Sequence, residues 1–218
     1  MQKFSAQRLP CPVVGLTGSL ASGKSSFARE LKELGATIID ADVLAREVIA
    51  PGSAALKQVT AHFGPQVLSN VGPDAELNRA ALAAIIFADA SQRIWLEALL
   101  HPLIRAKFEA QLKDLANDAA SGTQAPKLIV YVAPLLLEVG VPDEIQQVIL
   151  VTAPQPELIR RAVARGGISE AQARLRLARQ MPDAEKRTKV DYVIENTGSL
   201  EDLREQARLL FLKLGKLT

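Results

Sequence analysis

Residues 15–27 read GLTGSLASGKSSF, and within them Gly18, Gly23, Lys24 and Ser25 satisfy the pattern G-x-x-x-x-G-K-[ST]. An apolar run, PVVGL at 12–16, leads into the pattern, and a helical-period stretch, SSFARELKELG, leads out of it. Strand, small-residue loop and helix in that order give the pattern a physical meaning. Small residues let successive backbone N–H groups converge on phosphate oxygens, and the following helix presents the positive end of its dipole. Lys24 adds a point charge, and the Ser25 hydroxyl is placed to ligate Mg²⁺. The stretch therefore predicts an anion cradle built on Gly18, Gly23, Lys24 and Ser25 around a nucleotide's phosphates.

Further apolar runs at 37–40, 127–132, 147–152 and 192–195 alternate with longer helical patterns. Alternation of that kind marks parallel strands joined by helical crossovers. The fold class expected is α/β, a P-loop NTPase-like five-stranded parallel sheet. Residues 56–115 are rich in Ala and Leu and broken by Gly64, Gly72 and Pro73, which reads as a helical insertion. The polar stretch NDAASGTQAP at 117–126 reads as the exposed loop returning the chain to the sheet. Ser199 and Asp202 have capping-box spacing at the start of a last helix that ends near Leu214. One domain, 1–218, is expected, with a core over 12–55, 127–156 and 190–218, an insertion over 56–120 and a lid over 157–189.

The 218 residues carry a formal net charge of only +2, so nothing global points to nucleic acid or a membrane surface as partner. Small molecules are expected instead, with no obligate protein partner evident. Cys11 is the single cysteine, which excludes an internal disulfide and a thiolate zinc cluster. MQKFSAQRLPCP has no apolar export core, and no run of 18 apolar residues occurs, so the expected location is cytoplasmic.

The second strand ends in IIDAD. If the chain stays extended, Asp40 and Asp42 share one side, beside the cradle in the expected layout. A carboxylate there suits acceptance of a proton from an attacking hydroxyl, and also suits help in holding the metal. An Asx turn and helix N-cap is the plainer reading, stronger for Asp40 than for Asp42. Nine basic residues fall within 157–189 against four acidic ones. Most such charges belong to solvated helical faces, and Arg165 and Arg179, followed by Arg161, are the candidates for closing over a transferring phosphoryl group. Ser169 and Gln172 predict a capping box, hence a helix within the lid.

The stretch GLTGSLASGKSSFARELKELGATIIDADVLAREVIAPG resembles the opening of the dephospho-CoA kinase family. HPLI at 101–104, APLLLE at 133–138 and RGGISEAQARLRLARQMPDAEKRTKVDYVIENTGSL at 165–200 are similar to that family as well, in the same order. The resemblance implies a P-loop kinase core with a helical substrate domain and a mobile lid. It implies transfer of the ATP γ-phosphoryl group to the ribose 3′-hydroxyl of dephospho-CoA. ATP then lies on Ala21, Ser22, Gly23, Lys24, Ser25 and Ser26, and Asp42 is the general base. Ser19 and Ala21 stand where the family often has glycine, and Arg165-Gly166 where many members show Arg-Asp. KLIVYVA lacks an acidic residue, so Mg²⁺ must lean on Ser25, phosphates, water and Asp42.

His101, Glu138 and Arg79 are secondary substrate candidates, with Asp40 and Arg161. A histidine at a helix break before Pro102, a strand-to-helix turn at Glu138 and surface solvation at Arg79 are the plainer readings. Trp95, Phe87 and Leu99 read as core. Against a kinase stands a GTPase-like switch, because TKVD at 188–191 fits [NT]-K-x-D. It precedes a strand rather than following one, and no D-x-x-G occurs. A nucleoside or shikimate kinase would share the cradle but not HPLI, PLLLE and the lid pattern.

Overall fold

The computed structural model describes residues 9, 11–70, 72, 74–122 and 125–215. Pro73, Thr123 and Gln124, on which two of the sequence expectations touch, lie outside them, as do residues 1–8 and 10 of the N-terminal stretch. Five strands form one parallel sheet: β1 (Val13–Gly18), β2 (Thr37–Asp40), β3 (Ile129–Val132), β4 (Gln147–Thr152) and β5 (Tyr192–Glu195). Their order is β2-β3-β1-β4-β5. Every residue of β1 and β3 is buried, as expected of strands covered on both faces. β1 runs two residues beyond the apolar stretch read from sequence, so the sheet carries the chain right up to Gly18.

Two helices close one face of the sheet. Helix α1 (Lys24–Glu33) buries Phe27 and Leu31, four apart, and α10 (Leu200–Leu214) buries Leu203, Ala207, Leu210 and Leu214. Together with Val14, Leu16, Val130 and Ile149 these make one apolar cluster. The predicted capping box at Ser199 and Asp202 is present, each side chain accepting from the other residue's backbone N–H. Glu30 is an exception in this face, 2% exposed. Its Oε2 accepts from Arg204 Nε at 3.0 Å, so a charge-assisted bond ties α1 to α10.

The chain divides into two compact units, one ending at Asp40 and resuming at Asp114, the other Ala41–Lys113. The second contains α2 (Ala41–Val48), α3 (Ala54–Phe63), α4 (Arg79–Ala88) and most of α5 (Ala90–Ala120). The sequence expectation for the insertion is 56–120. Val48 and Ile49 pack with Ala55, Leu77, Leu100 and Ile104, which is why α2 groups with this unit.

Several expectations are corrected here. Residues 117–120 are helical, because α5 continues to Ala120, so the return loop is shorter than 117–126. α5 also runs through Pro102 without ending, so His101 stands within a helix and not at a break. Phe87 is 60% exposed and is no part of the core, while Trp95 stacks on His62 with ring centroids 3.7 Å apart.

Between β3 and β4 stands the short α6 (Leu136–Val139), and between β4 and β5 stand α7 (Gln155–Ala164), α8 (Glu170–Ala178) and α9 (Asp183–Arg187). The Ser169–Gln172 capping box at the head of α8 is present.

Cys11 is buried, and that burial pushes its thiol up to about 11. Native protein at pH 8 is expected to resist alkylation by iodoacetamide and to react promptly once unfolded in urea. Phe27 is fully buried in the cluster between α1, α10 and the sheet, so Phe27→Ala is expected to cost about 3–5 kcal/mol, read as a lower urea midpoint at unchanged slope.

Candidate active site

The loop after β1 folds back on the sheet because two of its residues have no side chain. A Cβ at Gly18 would lie 2.5 Å from the Val151 carbonyl oxygen and 2.6 Å from Ser22 Oγ. A Cβ at Gly23 would run into Asn196 Nδ2, and Gly23 sits at φ 94°, in the left-handed region. Gly23 caps α1 without any side-chain hydrogen bond, and a helix start of that kind carries the positive end of the dipole.

Ala21 is the one non-glycine described with positive φ, at 59°. Such a conformation costs about 1–2 kcal/mol in a residue with a side chain. Its methyl is buried against Ile159, Ala162 and Ala173, with Leu20 and Leu177 beside it, and that packing offsets the strain. The cradle thus has its back to α7 and α8.

Residues 18–25, with Pro134, Arg165 and Gln180, line a cavity of about 190 Å³. A site of that size is on the scale of a phosphate chain, below the roughly 300–1,000 Å³ of sites that enclose a drug-sized ligand. Lys24 is half-buried and Ser25 exposed. Ser22 Oγ is buried without a hydrogen-bond partner. Three hydrogen bonds hold the walls: Thr17 Oγ1 donates to the Pro134 carbonyl at 3.2 Å, the Leu20 N–H donates to Gln180 Oε1 at 3.0 Å, and Asn196 Nδ2 donates to the Ser22 carbonyl at 2.7 Å.

The other sequence candidates fall in different places. Arg165 C-caps α7 and forms no ion pair among the described residues. Arg179 C-caps α8 and is exposed. Arg161 donates through Nε to Glu157 Oε1 at 2.6 Å and through Nη2 to the Asn196 carbonyl at 3.0 Å. The Arg160 hydrogen bond, with Arg161 adding to it, holds the Glu157 carboxyl down at about 2. Arg161 is therefore engaged in fixing the turn after β5.

Glu138 is likewise engaged. Its Oε1 accepts from the Met181 N–H at 3.0 Å and lies 3.3 Å from Lys186 Nζ. Lys186 is fully buried, and its ammonium is near enough for an ion pair without the alignment of a hydrogen bond. Asp40 is the last residue of β2, and the chain turns helical at Ala41, so the extended geometry expected to put Asp40 and Asp42 on one side does not occur. Asp42 stands in the first turn of α2, Arg79 begins α4, and His101 lies in α5, all three in the Ala41–Lys113 unit.

Sequence reading passed over Gln180 and Asn196. Both are neutral amides, so no charge excess or metal-ligand spacing marks them. Their signal is positional: Asn196 follows the last strand, and Gln180 follows the C-cap of α8.

TKVD is no guanine reader. Asp191 Oδ2 accepts from the Val148 N–H at 2.7 Å while the Asp191 N–H donates to the Val148 carbonyl, which clamps β4 to β5 at their entry. With the switch set aside, a G-x-x-x-x-G-K-[ST] loop after the central strand of a five-stranded parallel sheet, with an arginine on the wall of its cavity, has the architecture of a P-loop kinase.

Comparison with known proteins narrows the class. The dephospho-CoA kinase family profile matches residues 12–202. The chain is 41% identical over 201 residues to the dephospho-CoA kinase of Geobacter sulfurreducens, covering 92% of this chain and 98% of that one. It is 43% identical over 204 residues to that of Moorella thermoacetica, covering 93% and 92%. Among solved structures, a Thermus thermophilus protein superposes with a TM-score of 0.75 at 34% identity, covering 94% of this chain and 98% of its own. The dephospho-CoA kinase from Campylobacter jejuni does so with 0.67 at 27%, covering 94% and 97%. The chain belongs to the dephospho-CoA kinase family, which catalyses the final step of coenzyme A biosynthesis.

Glu138→Gln keeps an acceptor for Met181 but strands the buried Lys186 charge. It is expected to cost about 3 kcal/mol or more in urea unfolding, with Lys186→Met in the same chain returning most of that loss. A double variant no more stable than the sum of the single losses would count against the pairing.

Proposed function

We propose that this chain transfers the γ-phosphoryl group of ATP to the ribose 3′-hydroxyl of dephospho-CoA, in the cytoplasm, releasing coenzyme A and ADP. The observation that carries the reading is the cavity at residues 18–25, where a helix start without a side-chain cap, Lys24 and Arg165 meet in a chain of this family. The backbone amides of the loop hold the phosphate chain. Lys24 sets its β- and γ-oxygens in place. Arg165 brings a second cation to the oxygens on which charge grows during transfer, and Arg179, at the end of the next helix, is assigned the same role. Asp42, two residues beyond the tip of β2, takes the proton of the acceptor hydroxyl as the new P–O bond forms. Asp40, Arg79 and His101 are assigned to the acceptor.

Mg²⁺ fits the donors present. Among the described residues no group of three or more His, Cys, Asp or Glu side chains could hold a metal. A hydroxyl at a helix start, one carboxylate, phosphate oxygens and water are the ligand set this ion accepts. Ser25 and Asp42 would hold it, and when bound it neutralises phosphate charge. Among the described residues no helix is long and apolar enough to cross a membrane.

Lys24→Ala is expected to lose ATP affinity and turnover together. Asp42→Asn is expected to keep ATP binding by calorimetry and to lose about 10²–10⁴ in turnover. Normal turnover by Asp42→Asn would remove the base assignment. Coupled ADP release measured with dephospho-CoA, adenosine, shikimate and no acceptor, side by side, tests the acceptor: only dephospho-CoA is expected to raise the rate above background.

A further inference from the structure

Gln180 lines the cradle cavity, and one end of its amide is already committed. The Leu20 N–H donates to Gln180 Oε1 at 3.0 Å. An amide has an accepting end and a donating end, and which is which follows from the hydrogen bonds made. Because Leu20 offers a proton, the bonded end must be oxygen, and the end left over is the NH₂. Among the described residues nothing accepts a hydrogen bond from Nε2, and Nε2 is not among the buried polar atoms left without a partner. A pair of N–H donors without a protein partner therefore remains on a residue of the cavity wall.

The segment bearing this amide is held from both sides. The Gln180 N–H donates to the Leu177 carbonyl at 3.0 Å at the end of α8. The next N–H, of Met181, donates to Glu138 Oε1 at 3.0 Å, and Glu138 is fixed in turn by the buried Lys186. Pro182 follows as the N-cap of α9. The donor is thus positioned before any ligand arrives, which is the condition under which a neutral hydrogen bond lowers a barrier appreciably.

We propose that Gln180 is a catalytic residue of the phosphoryl transfer, its Nε2 donating to an oxygen of the moving γ-phosphoryl group while its Oε1 keeps the entry of the cradle in register through Leu20. No proton leaves the amide; it stabilises charge on the equatorial oxygens as the bond to the leaving ADP breaks and the bond to the acceptor oxygen forms. Arg165, on the same wall, supplies the charge, and Gln180 supplies direction, since its planar amide is pinned at the other end. This assignment rests on the kinase reading above.

The test uses the whole chain with two substitutions. Gln180→Met removes both ends of the amide; Gln180→Glu keeps the acceptor for Leu20 and removes the donor. Turnover of Gln180→Met is expected to fall about 10²–10³-fold, the loss typical of one donor aimed at developing charge. Its Kd for ADP should stay within about threefold of the parent, whereas its Kd for ADP with aluminium fluoride should weaken by the same factor as turnover. Gln180→Glu should be at least as slow, although the Leu20 bond survives. Turnover of Gln180→Met within threefold of the parent would overturn the proposal. So would equal losses of affinity for ADP and for ADP with aluminium fluoride, which would mark a purely structural role through Leu20, or recovery by Gln180→Glu of more than a tenth of parental turnover. A parent chain inert towards dephospho-CoA would count against the acceptor reading alone, because the two affinities are measured without acceptor.

Discussion

Everything in this site depends on a steric exclusion. The chain leaving β1 must pass beneath the Val151 carbonyl and beside Ser22, and then turn in a left-handed conformation against Asn196; only residues without Cβ do both. From that passage follow the tight loop of residues 18–25, the start of α1 without a side-chain cap and the place of Lys24 on the cavity wall. Because β1 is central and buried at every position, the loop inherits the rigidity of the sheet. The cavity wall it forms is built on residues fixed by the sheet beneath it.

The same economy appears in how residues 157–189 meet the sheet. Of the nine basic side chains across 157–189, Arg160, Arg161, Arg174, Lys186, Arg187 and Lys189 each have a carboxylate partner. Asp183 receives the Thr152 hydroxyl at 2.6 Å and the Arg187 guanidinium at 2.6 Å, and Arg187 reaches Glu195 as well, so α9 is tied to the ends of β4 and β5. What looks in the sequence like a reservoir of positive charge for phosphate is mostly spent on holding helices. Arg165 stands apart from that pairing, on the cavity wall.

The strands were legible because buried parallel strands are written as unbroken aliphatic runs, and the cradle because its glycines, lysine and serine have fixed spacing. Helix ends were legible where capping chemistry is local, as at Ser169 and Ser199. The sequence misled where tertiary context overrides local preference. Pro102 and the small polar residues from Asn117 on argue for helix ends, yet α5 runs through Pro102 and on to Ala120. IIDAD invites an extended reading, yet the helix begins at Ala41. Gln180, Asn196 and the Glu138–Lys186 pair were not legible at all, since each acts across more than forty residues of chain and none bears a motif.

The joint between α7 and α8 has a consequence for variation. Gly166 and Gly167 both sit at φ 80°, and nothing lies within 4 Å of where a side chain would start. Volume therefore sets no limit there, but handedness does: two successive residues take a positive φ that L-residues rarely adopt. Every coding change away from glycine at either position introduces the disfavoured enantiomeric strain, so this turn is constrained by chirality in a place where there is ample room.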